Sequence, residues 1–187
     1  MRFLEVRRHS YTKQGRSRGQ GSQLSQEGVA LARRIGSQLG EFSFVVASPV
    51  PRTLETALGM GFAVSALMDM GAGLWEEAQR EQRARADLGE APPTFTAYAE
   101  LVRAGGPTSA LGRHQQRIWR EAIDHVPDGA QALVVAHGGL IEPGLVVCFA
   151  DADHEAWGGA LAPCEGARIT CDNGRFVDVT ISRVDEA

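Results

Sequence analysis

Two histidines in this chain each come at the end of a short apolar run. Residues 3–6 lead into Arg8-His9, and residues 133–136 lead into His137 and two glycines. The guanidinium of Arg8 could hold the oxygens of a phosphoryl group while a neutral nitrogen of His9 attacks phosphorus. The glycines after His137 would let backbone N–H groups approach the same anion, because no Cβ stands in the way. Both segments therefore indicate a site for a tetrahedral anion.

A third apolar run supplies a second arginine. Residues 45–47 run into Ser48-Pro49, and Arg52 follows in the first turn of a predicted helix. The carboxyl ends of neighbouring parallel strands meet at the edge where open α/β sheets bind ligands. The positive end of the helix dipole points to the same place. Three strand ends would therefore bring together two imidazoles and two guanidiniums, a set suited to a tetrahedral oxyanion.

The elements that must position these residues follow from the hydrophobic pattern. Apolar runs predict strands at residues 2–7, 44–47, 62–67 and 132–136. Helical periodicity, with Ser25 as an N-cap, predicts helices at 25–39, 52–60, 109–125 and 141–149. An Asn-Gly turn at residues 173 and 174 predicts a closing hairpin of the segments 168–171 and 176–181.

Strands that alternate with helices and then end in a hairpin predict an α/β fold. We expect a three-layer sandwich whose sheet is mostly parallel, with the hairpin as an antiparallel edge. A length of 187 residues fits one domain, 1–187. Polar residues and glycines are dense from 71 to 107, which predicts an inserted cap beside the site. The stretch 13–23 predicts a mobile basic loop that either reaches over an anionic substrate or is merely solvated.

Composition argues against several classes of protein. The net charge of −4 disfavours a nucleic-acid binder, which would usually be basic. No leader peptide and no apolar run of membrane-spanning length are evident, so we expect a cytoplasmic protein without membrane partners. The cysteines, at positions 148, 164 and 171, lack the paired spacing of a zinc site or a disulfide framework. Buried free thiols are therefore expected.

The strand-end segments, taken in order, resemble the three motifs of the histidine phosphatase superfamily, which has the phosphoglycerate mutase-like fold. These segments are Arg8-His9, Ser48-Pro49 with Arg52-Thr53 and Glu55-Thr56-Ala57, and Ala136-His137-Gly138. The resemblance covers most of residues 1–150. It implies a phosphomonoester hydrolase that acts on a small phosphorylated substrate or a phosphoprotein. It also implies a phosphohistidine intermediate, with no metal and no cofactor.

The resemblance further implies roles for single residues. His9 would be the nucleophile that takes the phosphoryl group in line. Arg8, Arg52 and His137 would surround the phosphoryl oxygens and neutralise their charge in the transition state, and Gly138 would line the same pocket. Water would then release phosphate from the histidine.

Two residues after the nucleophile are also candidates for substrate binding. Ser10 stands where the family usually has glycine, and its hydroxyl could donate to the phosphate or its Cβ could crowd the pocket. Thr12 matches a threonine that is frequent in the family.

The leaving alkoxide needs a proton, which a carboxylic acid normally provides. Proteins of this family place that acid in a leucine-any-glutamate segment some two dozen residues after the second-motif arginine. Leu74-Trp75-Glu76 fits this description. We therefore expect Glu76 to be the general acid, with Glu77 as the second choice and a solvated helix charge as the alternative.

Other functions stay open. Ser10 and the acid assignment also fit a degenerate module that binds phospho-ligands without turnover. A phosphohistidine protein phosphatase is a further alternative, because its good leaving group needs no strong acid. A mutase is less favoured, since mutases of this type are usually longer and carry a fuller cap.

Overall fold

Strands and helices alternate along the part of the chain that the computed structural model describes, residues 1–13, 21–84 and 93–184. The strands are β1 (Arg2–Arg8), β2 (Phe44–Ala47), β3 (Ala66–Leu67), β4 (Gln131–Ala136), β5 (Gly166–Asp172) and β6 (Arg175–Ser182). The helices are α1 (Gln26–Gly36), α2 (Pro51–Gly59), α3 (Ala72–Ala84), α4 (Phe95–Ala104), α5 (Pro107–Asp124) and α6 (Ile141–Cys148).

These strands form one sheet in the order β3-β2-β4-β1-β5-β6. The first four are parallel to one another, whereas β5 is antiparallel to β1 and β6 is antiparallel to β5. The predicted sheet, mostly parallel with an antiparallel edge hairpin, is confirmed. The hairpin turns at Asn173 and Gly174, whose φ angles of 48° and 73° suit a two-residue turn with left-handed backbone.

Side chains at alternate strand positions pack against helices on opposite faces of the sheet. Val45 and Leu133 pack with Ala57 of α2 on one face. Leu4 and Val134 belong to a separate cluster, which also contains buried side chains of α5 and α6. Successive residues of a strand point to opposite faces, so the apolar strands bury both of their faces under helices. The predicted three-layer sandwich follows from this alternation.

The register between β1 and β4 decides where the two histidines lie. Arg8 pairs with Ala136 at the ends of these parallel strands, so His9 and His137 are the next residue of each. The backbone N–H of His9 donates to the carbonyl of Ala136 over 2.9 Å. On the far side of β4, β2 ends at the same edge and places Ser48 there. Parallel neighbours thus bring three chemistry-bearing segments to one edge.

Two predicted elements are shorter in the structure. α1 ends at Gly36 rather than at residue 39, because Gly36 packs directly against backbone that follows α2. The next residues form a tight turn in which the N–H of Leu39 donates to the carbonyl of Gly36 over 3.1 Å. The strand expected over 62–67 is limited to Ala66–Leu67, since Phe62 packs into the core beside α2 instead of pairing.

The stretch from 71 to 107 contains α3 and α4, although its apolar periodicity is weak. The buried positions of α3 include Ala78 and Gln82, one small and one polar, which hides the helical pattern. Phe95 and Tyr98 of α4 join the same cluster as α5 and α6. Residues 85–92 lie outside the described residues. The division into one domain with a cap over 71–107 stays a prediction.

The three cysteines carry free thiols, of which Cys164 and Cys171 are buried and Cys148 is half-buried. Within residues 1–13, 21–84 and 93–184, no helix combines the length and the apolar character needed to cross a bilayer.

Candidate active site

His9 presents one unprotonated ring nitrogen at the edge of the sheet. Its Nδ1 lies 2.8 Å from the carbonyl oxygen of Ser10, and because a carbonyl can only accept, Nδ1 carries the hydrogen. Nε2 therefore keeps its lone pair. Burial, followed by the positive charges of Arg52 and Arg8, lowers the pKa of His9 to about 4. The ring is thus neutral well below neutral pH.

His137 lies next to His9, and its ring is in the opposite tautomer. The two ring centroids are 5.3 Å apart and the ring planes are inclined by 63°. Arg52 Nε donates to His137 Nδ1 over 3.3 Å, so the hydrogen of the neutral ring is on Nε2. That N–H donates to Ser48 Oγ, 2.8 Å away. Burial and then the neighbouring positive charges, Arg52 first, lower the pKa of His137 to about 3.

A chain of hydroxyl groups fixes this tautomer of His137. Ser48 Oγ lies 2.8 Å from Thr53 Oγ1, and Thr53 Oγ1 donates to the carbonyl of Val50 over 2.7 Å. Since the Thr53 hydroxyl donates its hydrogen to a carbonyl, it accepts a hydrogen bond from the Ser48 hydroxyl. Ser48 in turn accepts one from His137 Nε2–H. Donors and acceptors are consistent along the whole chain only if His137 is protonated at Nε2.

We expect Ser48→Ala to release this constraint. In ¹⁵N NMR spectra the wild-type His137 should be a single Nε2–H tautomer, and the variant should show a mixture. Turnover of a phosphate ester should fall by about tenfold, because a misoriented imidazole holds the reacting group less well. Ser37→Ala, which removes an exposed hydroxyl on the far end of α1, is the control. If the tautomer of His137 and the turnover were both unchanged in Ser48→Ala, Ser48 would have no role in orienting His137.

Arg8 reaches the same place from the end of β1. Its Nη1 donates to the carbonyl of Leu161, which anchors the guanidinium on the loop before β5. Its Nε is buried and has no hydrogen-bond partner among the described residues. A Cβ on Gly138 would lie 2.9 Å from that Nε, so a larger residue at this position would displace either the guanidinium or the loop after β4.

Arg52 completes the set of positive charges from the first turn of α2. Burial and the nearby charge of Arg8 lower the pKa of Arg52. The charges that shift the pKa values of His9 and His137 are likewise positive. A cluster of mutually repelling cations is stabilised by an anion, because an opposite charge favours each charged form. The arrangement therefore suits the binding of an anion beside the two imidazole rings.

Ser10 is buried, and its side chain faces away from this anion site. Its hydroxyl donates to the carbonyl of Gly28 in α1 over 2.7 Å, and its backbone N–H donates to Thr56 Oγ1 over 2.9 Å. This serine thus connects the segment after β1 with α1. Thr12 lies in an isolated bridge with Leu24. Direct contact of Ser10 or Thr12 with substrate stays a prediction, and for the Ser10 hydroxyl this geometry disfavours it.

Glu76 and Glu77 are exposed on α3. The residue of this helix that reaches the loop after β4 is Trp75, whose ring would lie 2.6 Å from a Cβ on Gly139. The role of Glu76, or of Glu77, as the general acid stays a prediction.

Asp69 is a carboxylate that the sequence reasoning missed. It follows β3 by two residues, and β3 is the parallel neighbour of β2, so Asp69 leaves the sheet at the same edge as Ser48. Asp69 Oδ1 accepts the N–H of Gly71 over 2.9 Å, which orients the carboxylate locally. The rule that selected His9, a polar residue after a predicted strand, would have found Asp69 as well.

No group of three or more histidine, cysteine or carboxylate side chains suited to a metal ion occurs in the described ranges. The absence of a metal requirement stays a prediction. The basic loop expected over 13–23 is described only at its ends, where Lys13 and Gln23 pair through both backbone and side chain. Residues 14–20 lie outside the described residues.

Solved structures share this fold over nearly the whole chain. The Bacillus stearothermophilus YhfR protein is 20% identical, with 99% of this chain and 98% of that protein covered and a TM-score of 0.70. Phosphoserine phosphatase from Entamoeba histolytica, in complex with 3-phosphoglyceric acid, is 14% identical, with 98% of each chain covered and a TM-score of 0.68. A mycobacterial glucosyl-3-phosphoglycerate phosphatase in complex with VO3 is 18% identical, with 99% and 100% covered and a TM-score of 0.67.

A search of curated proteins found no match. The family model of the histidine phosphatase superfamily (branch 1) matches residues 6–183. This span includes all three strand-end segments and the sheet that carries them. The chain therefore belongs to branch 1 of the histidine phosphatase superfamily.

Proposed function

We propose that this protein is a phosphomonoester hydrolase that acts through a phosphohistidine on His9. One observation carries the proposal: the unprotonated Nε2 of His9 belongs to a ring that lies beside His137 and close to Arg8 and Arg52, whose positive charges favour an anion there. A nucleophile in such a site meets phosphorus while the surrounding donors hold the oxygens. Membership of the family is consistent with this arrangement.

The reaction has two displacements. In the first, the lone pair of His9 Nε2 forms a bond to phosphorus as the bond from phosphorus to the leaving oxygen breaks. That oxygen keeps the electron pair and takes a proton from a carboxylic acid. In the second, water attacks the phosphohistidine, gives a proton back to the carboxylate and releases inorganic phosphate. His9 returns to its neutral state, so all atoms and charges balance.

The cations of the site stabilise the negative charge that develops on the phosphoryl oxygens. Burial and then the neighbouring positive charges lower the pKa of His137, and a phosphate dianion bound beside the ring would oppose that charge repulsion and favour its protonation. The guanidiniums of Arg8 and Arg52 present several donors in fixed planes that match phosphate oxygens. Binding and transition-state stabilisation thus use the same groups.

Two carboxylates are candidates for the general acid. We propose Asp69, because it leaves the sheet at the same edge as Ser48; the side chains of Asp69 and Glu76 are both exposed. We expect Asp69→Asn to lower kcat on an alkyl phosphate by about a hundredfold, because a poor leaving group needs the proton. The loss on an aryl phosphate should be smaller. Glu76→Gln should retain wild-type kcat on both substrates, and the reverse result would return the role to Glu76.

Phosphatase structures with small phosphorylated ligands support a small substrate. The Entamoeba histolytica enzyme binds 3-phosphoglyceric acid, and a mutant of that enzyme was solved in complex with phosphoserine. We propose a small phosphorylated metabolite as the substrate class. A panel of such compounds, scored by release of inorganic phosphate, tests the substrate class. The hydrolytic mechanism is tested by rapid quench with an aryl phosphate, in which acid-labile phosphate should appear on His9 in peptide mass spectra.

The same experiment separates the alternative functions. Tight vanadate binding with neither turnover nor a phosphorylated peptide would identify a binding module. Turnover of phosphohistidine peptides alone would indicate a protein phosphatase. A phosphoglycerate mutase from Bacillus anthracis also shares the fold, with 20% identity and a TM-score of 0.58. Formation of a phosphate-shifted isomer from 3-phosphoglycerate, without release of phosphate, would indicate a mutase.

A further inference from the structure

Glu142 is a buried carboxylate behind the anion site, and the chemistry proposed above does not use it. It lies in the first turn of α6 and is completely buried. Its Oε2 accepts the N–H of Gly139 over 2.6 Å, and its Oε1 accepts the N–H of Leu161 over 3.0 Å. Burial raises the pKa of Glu142, while these donors and the charge of Arg8 oppose that rise. An ionisable group is rarely buried without a task or a partner.

The two backbone groups that Glu142 holds belong to the walls of the anion site. Gly139 is the second glycine after His137, and its φ of 80° is a left-handed conformation that other residues rarely adopt. The hydrogen bond that Gly139 N–H donates to Glu142 stabilises this turn. The same turn places Gly138 against the guanidinium of Arg8.

Leu161 makes the second connection. Its N–H donates to Glu142, and its carbonyl oxygen accepts from Arg8 Nη1. Loss of the Glu142 carboxylate would therefore remove a hydrogen bond at the residue on which the Arg8 guanidinium is anchored. The segment and the turn after β4 are far apart in sequence, and Glu142 is a single group that binds both.

We infer that Glu142 is a positioning residue, which sets the Arg8 guanidinium and the Gly138-Gly139 turn for a phosphoryl group that it does not touch. The expected effect of Glu142 on turnover rests on the proposed function. Its effect on the position of the Arg8 guanidinium does not depend on any catalytic activity. Glu142 also lies close enough to Arg8 for the two groups to interact electrostatically.

The test compares Glu142→Gln with Glu165→Gln. Glutamine has one acceptor oxygen, so in the Glu142 variant at least one of the two backbone donors faces an NH₂ group. Glu165 is the matched control because it is also buried and accepts backbone N–H groups, those of Ala162 and Val184, in the same part of the chain. Its side chain bonds to Arg183 and does not bond to Gly139 or Leu161.

Three measurements are made on folded protein. The first is the NMR signal of the Arg8 guanidinium N–H groups, which should be resolved in wild type and in Glu165→Gln and broadened in Glu142→Gln. The second is the Kd for orthovanadate, which should rise by about tenfold only in Glu142→Gln, because a displaced group binds the anion less well. The third is kcat/KM for an aryl phosphate, which should fall in parallel. The thermal midpoint of both variants is expected to decrease.

Unchanged Arg8 signals and an unchanged vanadate Kd in folded Glu142→Gln would overturn the inference. Equal losses in both variants would also overturn it, since they would report general destabilisation. If Glu142→Gln does not fold, Glu142→Asp replaces it; this variant keeps the charge but withdraws the carboxylate by one methylene. If the wild type neither binds vanadate nor hydrolyses phosphate esters, the proposed function fails, and the Arg8 signals alone decide the role of Glu142.

Discussion

The His9→Ala protein should release phosphate from an aryl phosphate at a rate lower than wild type by roughly four orders of magnitude. The reason is the loss of Nε2, the unprotonated ring nitrogen that the Ser10 carbonyl leaves available. Without it no phosphorylated intermediate can form, whatever the affinity of the site for phosphate. Phosphate release in a stopped assay gives the rate, and rapid-quench mass spectrometry should find no acid-labile phosphate on the variant.

The control for this variant is His125→Ala. His125 is an exposed residue at the end of α5, where its ring stacks on Phe44, and its removal should leave turnover unchanged. Vanadate binding by His9→Ala, retained at reduced affinity, would show that the pocket itself is intact. Equal turnover of the two variants would refute the phosphohistidine mechanism.

The lowered pKa of His9 also predicts how the wild-type protein responds to acid. The pKa of His9 is lowered to about 4, so the nucleophile stays unprotonated in mildly acidic buffer, where an ordinary histidine with a pKa near 6.5 would be charged. We therefore expect His9 to keep its nucleophilic form at pH 5. The C–H signals of His9 in an NMR titration should move near pH 4 and not near 6.5.

Arg52→Ala should have the second-largest effect, with kcat/KM reduced by about a thousandfold. Arg52 adds positive charge beside both imidazoles and donates to His137 Nδ1. Its removal should weaken vanadate binding. It should also raise the pKa values of His9 and His137, because the repulsion that disfavours their protonated forms is reduced. Lower affinity for an anion together with more basic histidines is an unusual pair of effects.

Both effects are measurable on one sample. Calorimetry with orthovanadate gives the affinity, and an NMR titration of the two histidines gives the direction of the pKa change. Arg33→Ala, at an exposed position of α1, controls for the loss of one positive charge from the whole protein. Histidines that become less basic in Arg52→Ala, or an unchanged vanadate affinity, would contradict the placement of Arg52 in the anion site.

Local pattern in the sequence was sufficient for most of the fold. The apolar runs before His9 and His137 predict buried strands because such runs are stable only when both faces are covered. The Asn173-Gly174 turn predicts the closing hairpin because few other residues accept two left-handed φ angles in succession. The residues that follow these strands are then predicted to lie at one edge of the sheet, since neighbouring parallel strands end on the same side. These are local requirements of single elements, which a sequence displays directly.

Other features depend on which segments become neighbours in space. The hydroxyl of Ser10 suggests a phosphate donor from its position beside His9, yet the segment after β1 lies against Gly28 of α1, and the hydroxyl donates to the Gly28 carbonyl. Spacing from Arg52 selects Glu76, and the tertiary structure adds that the ring of its neighbour Trp75 lies against Gly139 in the loop after β4. The sequence alone cannot show such orientations, because they are set by contacts between distant elements.

The sequence by itself therefore determined the class of fold, the edge of the sheet and the four residues that meet there, Arg8, His9, Arg52 and His137. Only the tertiary structure decided the tautomers of the two histidines, the depression of their pKa values and the connection of Glu142 with Arg8. The physical reason is that protonation and hydrogen bonding depend on burial and on partners at a few ångströms. Both arise only when β1, β4 and the loop at Leu161 come together.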